Sequence, residues 1–151
     1  MTPVLDATVL LRLADPQSPL HAAAAAAVRT AAVAYGRPAT VPQAVYEFWV
    51  VATRPLAQNG HGLTVPGCVA RLDPLLARFP VLPDPPGLFG EWRRLVALHD
   101  CKGKPAHDAR VAAALSLHGL THLVTFNRAD FARFPHVVVI DPAATAARPG
   151  P

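Results

Sequence analysis

The sequence predicts an α/β protein, a three-layer α/β/α sandwich around a mainly parallel sheet. Short apolar strand-like segments (PVL, PATV, THLVTF, HVVVI) alternate with longer stretches of helical spacing. Gly and Pro sit at the junctions between them. The chain has 151 residues, 52% hydrophobic and only 16% charged, a globular composition with enough apolar material for one core.

In chain order, residues 3–5 form a strand that ends at Asp6, and a short helix follows to about Ala14 before Asp15-Pro16 breaks it. Residues 19–35 are Ala-rich and strongly helical until Gly36 stops the helix and Pro38 prevents its resumption. PATV, 38–41, is the second strand. Pro42 suits the first turn of a helix that reaches Thr53 and is ended by Pro55. QNGHG, 58–62, is a turn-rich loop, and 64–79 is a helix with Val65, Val69, Leu72, Leu75, Leu76 and Phe79 on its apolar spacing. PVLPDPP, 80–86, reads as a short strand and a rigid loop. Residues 87–99 form a helix carrying Trp92, Leu95 and Val96, CKGKPA (101–106) a loop, and 107–119 a helix closed by Gly119. Strand 121–126, a short helix in ADFARF and strand 136–140 complete the domain. Residues 1–142 form one domain with no internal repeat, and 143–151 a frayed, flexible tail.

Net charge is +4, which permits a nucleic-acid or acidic partner without demanding one; ordinary surface arginines account for it equally well. The two cysteines, Cys68 and Cys101, lack metal-ligand spacing, and nothing indicates a disulfide framework; a reducing, cytoplasmic setting is expected. The first residues have no basic n-region, and Asp6 and Arg12 interrupt their apolar stretch, so they do not read as a signal peptide. The Ala run 22–27 is too short to span a bilayer. The seven histidines are scattered, and Gly119 separates His118 from His122, which argues against zinc.

In parallel sheets, ligands sit outside the carboxyl ends of the strands. That rule selects Asp6, Glu47, Asp108, Asn127 and Asp130 from the ten acids and their neighbours; Asp15, Asp73, Asp84, Asp100, Asp141 and Glu91 fall in turns, loops or exposed helix positions. Each candidate has a structural alternative. Asp6 could cap the following helix, Asp108 could complement a helix dipole, and Asn127 with Asp130 could imitate a capping box. Glu47 lies in YEFWVVATRP with no basic residue three or four positions away, so either it lies on a narrow solvated face or it needs a partner from elsewhere. Oxygen ligands gathered at one sheet end suit a hard cation, Mg²⁺ or Mn²⁺.

The ordered set VLDATVLLRL, YEFWVVATRP, HDARVAAALSLHG and LVTFNRADFARF, with the NG-GL run at Asn59, Gly60, Gly62 and Leu63, resembles the PIN-domain nucleases, in particular the VapC-like toxins of type II toxin–antitoxin pairs. The resemblance covers about residues 3–142. It implies an acidic metal pocket, frequently in a homodimer, that cleaves RNA with Mg²⁺ or Mn²⁺. Matched by motif, Asp6, Glu47 and Asp108 are the first three acids. Asn127 stands where many members have Asp, and Asp130 belongs to the N-x-x-D-F ending. The family start D-T/S-N or D-A-S/N is Asp6-Ala7-Thr8 here, and Thr8 keeps a hydroxyl. Lys102, Lys104 and Arg110 around Asp108 form a candidate phosphate-binding cluster, or a solvated basic loop. An RNA substrate and a cognate antitoxin are the expected partners. The helices at 19–35 and 64–79 supply either a groove for the antitoxin or the core. One alternative is a PIN-like binding or assembly module, which Asn127 would suit. Another is a phosphoryl-transfer protein with Asp6 as acceptor, against which stands the lack of a second acid beside Asp6 at that strand end.

Overall fold

The computed structural model describes residues 1–146. Four strands, β1 (Val4–Leu5), β2 (Ala39–Thr40), β3 (His122–Val124) and β4 (Val138–Ile140), form a sheet in the order β2-β1-β3-β4, and every pairing among them is parallel. Eight α-helices are found among the described residues: α1 (Ala7–Leu13), α2 (His21–Tyr35), α3 (Pro42–Thr53), α4 (Val65–Arg78), α5 (Leu88–Leu98), α6 (Pro105–His118), α7 (Arg128–Phe131) and α8 (Pro142–Ala146). The helices fill the connections: α1 and α2 between β1 and β2, α3–α6 between β2 and β3, and α7 between β3 and β4. Among them α1 lies against α2 and α3, α3 against α4 and α6, α5 against α6, and α6 against α7. This is the α/β/α sandwich the sequence predicts.

The inner strands of the sheet are buried on both faces, which is why they lack polar alternation, while the edge strand β4 is partly exposed. Val4, Leu5, Leu123 and Val124 are fully buried. Ala24, Ala27, Val28 and Ala31 of α2 and Cys68, Leu72 and Leu75 of α4 pack into the core. The inner faces of both helices are therefore committed to the domain itself.

Three expectations are corrected. Residues 80–86 make no strand: Val81 forms a single parallel bridge to Thr40. Pro83, Pro85 and Pro86 have no amide to extend that pairing. The helix expected from His107 begins at Pro105, because a proline at the first helical position loses no hydrogen bond. Part of the expected frayed tail is α8, which packs against α2; residues 147–151 lie outside the described residues. Among the described residues no helix is long and apolar enough to cross a membrane.

The loop after α3 is pinned rather than loose. Leu56–Gln58 form one 3-10 turn, Asn59 adopts a left-handed conformation at φ 60°, and the amides of His61, Gly62 and Leu63 donate to the carbonyls of Val51, Arg54 and Ala52. These bonds satisfy the orphan carbonyls at the C-terminus of α3. The chain doubles back so tightly that a Cβ on Gly60 would lie 1.9 Å from the Arg54 carbonyl oxygen. Gly60→Ala should therefore destabilise the fold by roughly 1–3 kcal/mol through backbone displacement. Urea denaturation checks this; a midpoint equal to that of the parent would show that the loop has room the structure denies.

Candidate active site

The strand order sets the position of the site. The chain leaves β1 to one side, to β2, and later returns to its other side as β3. Ligand crevices open where the winding changes direction, outside the carboxyl ends of such strands. Asp6 directly follows β1, and Thr125 directly follows β3. The register Leu5↔Val124 puts them side by side, and the Asp6 amide donates to the Val124 carbonyl at 3.1 Å.

Asp6 is only 3% exposed. It occupies the N-cap position of α1 without making a side-chain capping bond, so the capping alternative does not explain it. Its Oδ2 accepts from the Thr125 hydroxyl at 2.7 Å and from the Thr8 hydroxyl at 3.3 Å. Both hydroxyls are themselves positioned, since Thr8 Oγ1 accepts from the Phe126 amide at 3.1 Å and Thr125 Oγ1 from the Asn127 amide at 3.0 Å. Burial pushes the Asp6 carboxyl above its ordinary range. The hydrogen bonds from Thr125, the Ala7 amide and Thr8, and the charge of Lys104, offset part of that rise.

Glu47 reaches the same end from α3, one turn beyond Gln43, whose amide donates to Glu47 Oε1 at 3.3 Å. Glu47 is half-buried. Desolvation and then the charge of Asp6 raise its pKa, while Gln43 and Lys104 oppose the rise. Asp108 comes from the first turn of α6, which packs against α3. It is 5% exposed, and its pKa is raised to about 7. Burial is the main cause; Lys104 opposes it, and the negative charges of Asp130, Glu47 and Asp6 add to it. Carboxylates from four chain segments thus repel one another across one sheet end.

Asp130 pairs with Lys104 at 3.5 Å. Asn127 is half-buried at the N-cap of α7 and makes no side-chain capping bond. The expected basic cluster divides. Lys104 acts on Asp6, Glu47 and Asp108. Lys102 turns to Asp100 at 3.3 Å, with both side chains more than 80% exposed. Arg110 pairs with Asp84 at 2.7 Å and lies over the Tyr46 ring at 5.9 Å. It faces a neighbouring cavity of about 480 Å³ rather than the acids. Tyr46 is 54% exposed and does not enclose Glu47; Phe48 is in the core. Glu91, to which the sequence assigns no role, binds Arg94 with two hydrogen bonds at 3.0 and 2.8 Å.

Sequence reasoning missed Thr125. A hydroxyl ending an apolar strand is a weak signal, and only the β1–β3 pairing shows that it faces Asp6. Gln43 was visible merely as a member of the Glu47 stripe. The donor set of Asp6, Glu47, Asp108 and Asp130 is all hard oxygen under mutual repulsion, which fits a cation such as Mg²⁺ or Mn²⁺ in type and charge. As they stand, no three His, Cys, Asp or Glu side chains among the described residues are drawn close enough to enclose an ion.

No protein-family model matches the chain, and no curated protein sequence matches it. Solved structures do. VapBC2 from Rickettsia felis, bound to a DNA fragment from its promoter, is similar with a TM-score of 0.67 at 16% identity over 93% of this chain and 98% of that one. FitAcB from Neisseria gonorrhoeae has a TM-score of 0.67 at 17% identity, covering 94% and 99% of the two chains. Mycobacterium tuberculosis VapC20, a toxin that cleaves the sarcin-ricin loop, has a TM-score of 0.62 at 16% identity, covering 90% and 98%. The chain therefore has the PIN-like fold of the VapC toxins.

The raised pKa of Asp108 has a definite thermodynamic sign. Between its ordinary value of 3.8 and about 7, the folded protein keeps a proton that the unfolded chain has released. Stability from this group therefore falls as pH rises through that window, and the loss is complete above it. Asp108→Asn should match the parent near the acid limit and exceed it in stability above neutral pH, with chelator present. Urea titrations at acid and alkaline pH measure the difference; an Asn variant no more stable than the parent at high pH would contradict the electrostatic account.

Proposed function

We propose that the chain is a Mg²⁺- or Mn²⁺-dependent endoribonuclease that hydrolyses RNA phosphodiester bonds, and the toxin of a type II toxin–antitoxin pair. The observation that carries this reading is the convergence of Asp6, Glu47 and Asp108 at the switch point of the sheet, each raised in pKa by burial, and Glu47 and Asp108 also by their acidic neighbours. A stable fold does not gain from such repulsion, whereas a cation-binding nuclease requires it. The fold shared with toxin–antitoxin structures supports the biological setting. On this reading the protein acts in the cytoplasm as a homodimer and is held in check by a cognate antitoxin.

Asp6 and Asp108 would hold the cation, with Glu47 at its margin. When bound, the cation lowers the pKa of a water and neutralises charge on the phosphoryl oxygens. Thr125 and Thr8 fix Asp6 through Oδ2. Gln43 holds Glu47 through Oε1, and the opposite oxygen can accept the proton of the attacking water. The hydroxide so formed attacks phosphorus in line, and the P–O bond on the opposite side breaks. Lys104, exposed and loosely paired with Asp130, can meet the incoming phosphate.

A second reading, a PIN-like module that binds without cleaving, draws on two observations: Asn127 in place of an acid, and, among the described residues, no three side chains already closed around an ion. Cleavage assays on single-stranded and structured RNA decide between them. Activity should require Mg²⁺ or Mn²⁺ and disappear with EDTA. Asp6→Asn and Asp108→Asn should abolish it, and Glu47→Gln should cost about 10²–10⁴-fold with the fold intact. Cleavage that persists in EDTA, or at the parent rate in both Asp variants, would exclude the nuclease mechanism.

A further inference from the structure

Beside the acids, α3, α5 and α6 enclose the cavity of about 480 Å³ lined by Gln43, Leu88, Phe89, Trp92, Ala106, His107 and Arg110. Its volume lies within the roughly 300–1,000 Å³ of small-ligand clefts. One wall is aromatic. Phe89 is 76% exposed, and its ring centroid lies 6.0 Å from that of Trp92 at 34°. Trp92 is fixed because its indole N–H donates to the Ala106 carbonyl at 2.7 Å. An exposed Phe on a first helical turn contributes little to the core, so its value lies in what it can touch.

The opposite wall is polar. Arg110 spends one guanidinium nitrogen on Asp84 at 2.7 Å, while its Nε is shielded from solvent without a hydrogen-bond partner. The cavity adjoins the candidate active site through shared residues. Gln43 lines it and donates to Glu47, and Ala106 and His107 line it directly before Asp108.

From this juxtaposition we propose that the cavity is a base-binding subsite, in which a nucleobase adjoining the scissile phosphate stacks on Phe89 and meets Gln43, His107 and Arg110 at its edge. The inference rests on the ribonuclease reading. An aromatic face with convergent polar groups is the means by which proteins hold unstacked bases of single-stranded RNA. A purely apolar ligand would leave the Arg110 and Gln43 edge unused. A strand whose phosphate lies at the acids would bring its neighbouring base to this side.

The test separates binding from cleavage. Full-length protein carrying Asp6→Asn is titrated with adenosine 5′-monophosphate, ribose 5-phosphate and inorganic phosphate while tryptophan fluorescence is followed. The nucleotide should quench Trp92, and the two base-free probes should not. Phe89→Ala should weaken nucleotide binding about tenfold, and Phe89→Tyr should restore it. In the active protein, Phe89→Ala should raise KM for single-stranded RNA about tenfold and leave kcat within about twofold. Sedimentation of each variant accompanies these measurements. Equal response to all three probes, unchanged nucleotide binding in Phe89→Ala, or loss of self-association in that variant without loss of nucleotide binding would overturn the subsite. The last result would assign the face to contact between copies of the chain. Nucleotide binding in a protein that cleaves no RNA would leave the subsite standing and remove the nuclease reading instead.

Discussion

The structure depends on keeping the Asp6 carboxyl buried between β1 and β3. Burying such a group without partners is strongly unfavourable. The protein answers with two threonine hydroxyls on one oxygen, each fixed by a backbone amide from the segment after β3. The arrangement exists only if β1 and β3 are adjacent, parallel and in this register. The crossovers that make them adjacent also bring Glu47 and Asp108 to the same end, on α3 and α6, which pack against each other. Fold and site thus share one constraint.

That constraint opposes local stability. Lys104 is the cation whose charge acts on Asp6, Glu47 and Asp108 alike, and it is itself mostly exposed and shared with Asp130. One screened lysine cannot balance four carboxylates. Burial, joined at Glu47 and Asp108 by the neighbouring negative charge, appears as upward pKa shifts, which trade charge for a proton. A bound divalent cation would reverse that exchange and release the protons. The cost of the cluster lies in its buried charge, while the core around it is apolar.

The parallel sheet was legible because Gly and Pro mark its boundaries, and because strands buried on both faces read as plain apolar runs. The end-of-strand rule pointed to Asp6, Glu47 and Asp108 together, and the order of motifs matched them to three acids of one family. What stayed hidden depended on pairing across the chain. Thr125 lies 119 residues from Asp6, and no local pattern connects them. The separation of Lys102 from Lys104 was hidden as well, since two residues in one loop turned to different acids. Residues 80–86 misled because their apolar start reads as a strand, while the prolines that prevent pairing act only where a neighbouring strand requires an amide.

Sharing a fold at 16–17% identity says little about chemistry, since one fold hosts many activities. The functional argument must come from side chains, and here two features reinforce each other. The acids alone would make a cation site of unspecified purpose. The cavity alone would make an unassigned apolar cleft. Gln43 belongs to both: it lines the cleft and orients Glu47. A base held in the cleft would therefore lie against the residue that holds the carboxylate, and one buried glutamine in the first turn of α3 would form the boundary between substrate selection and catalysis.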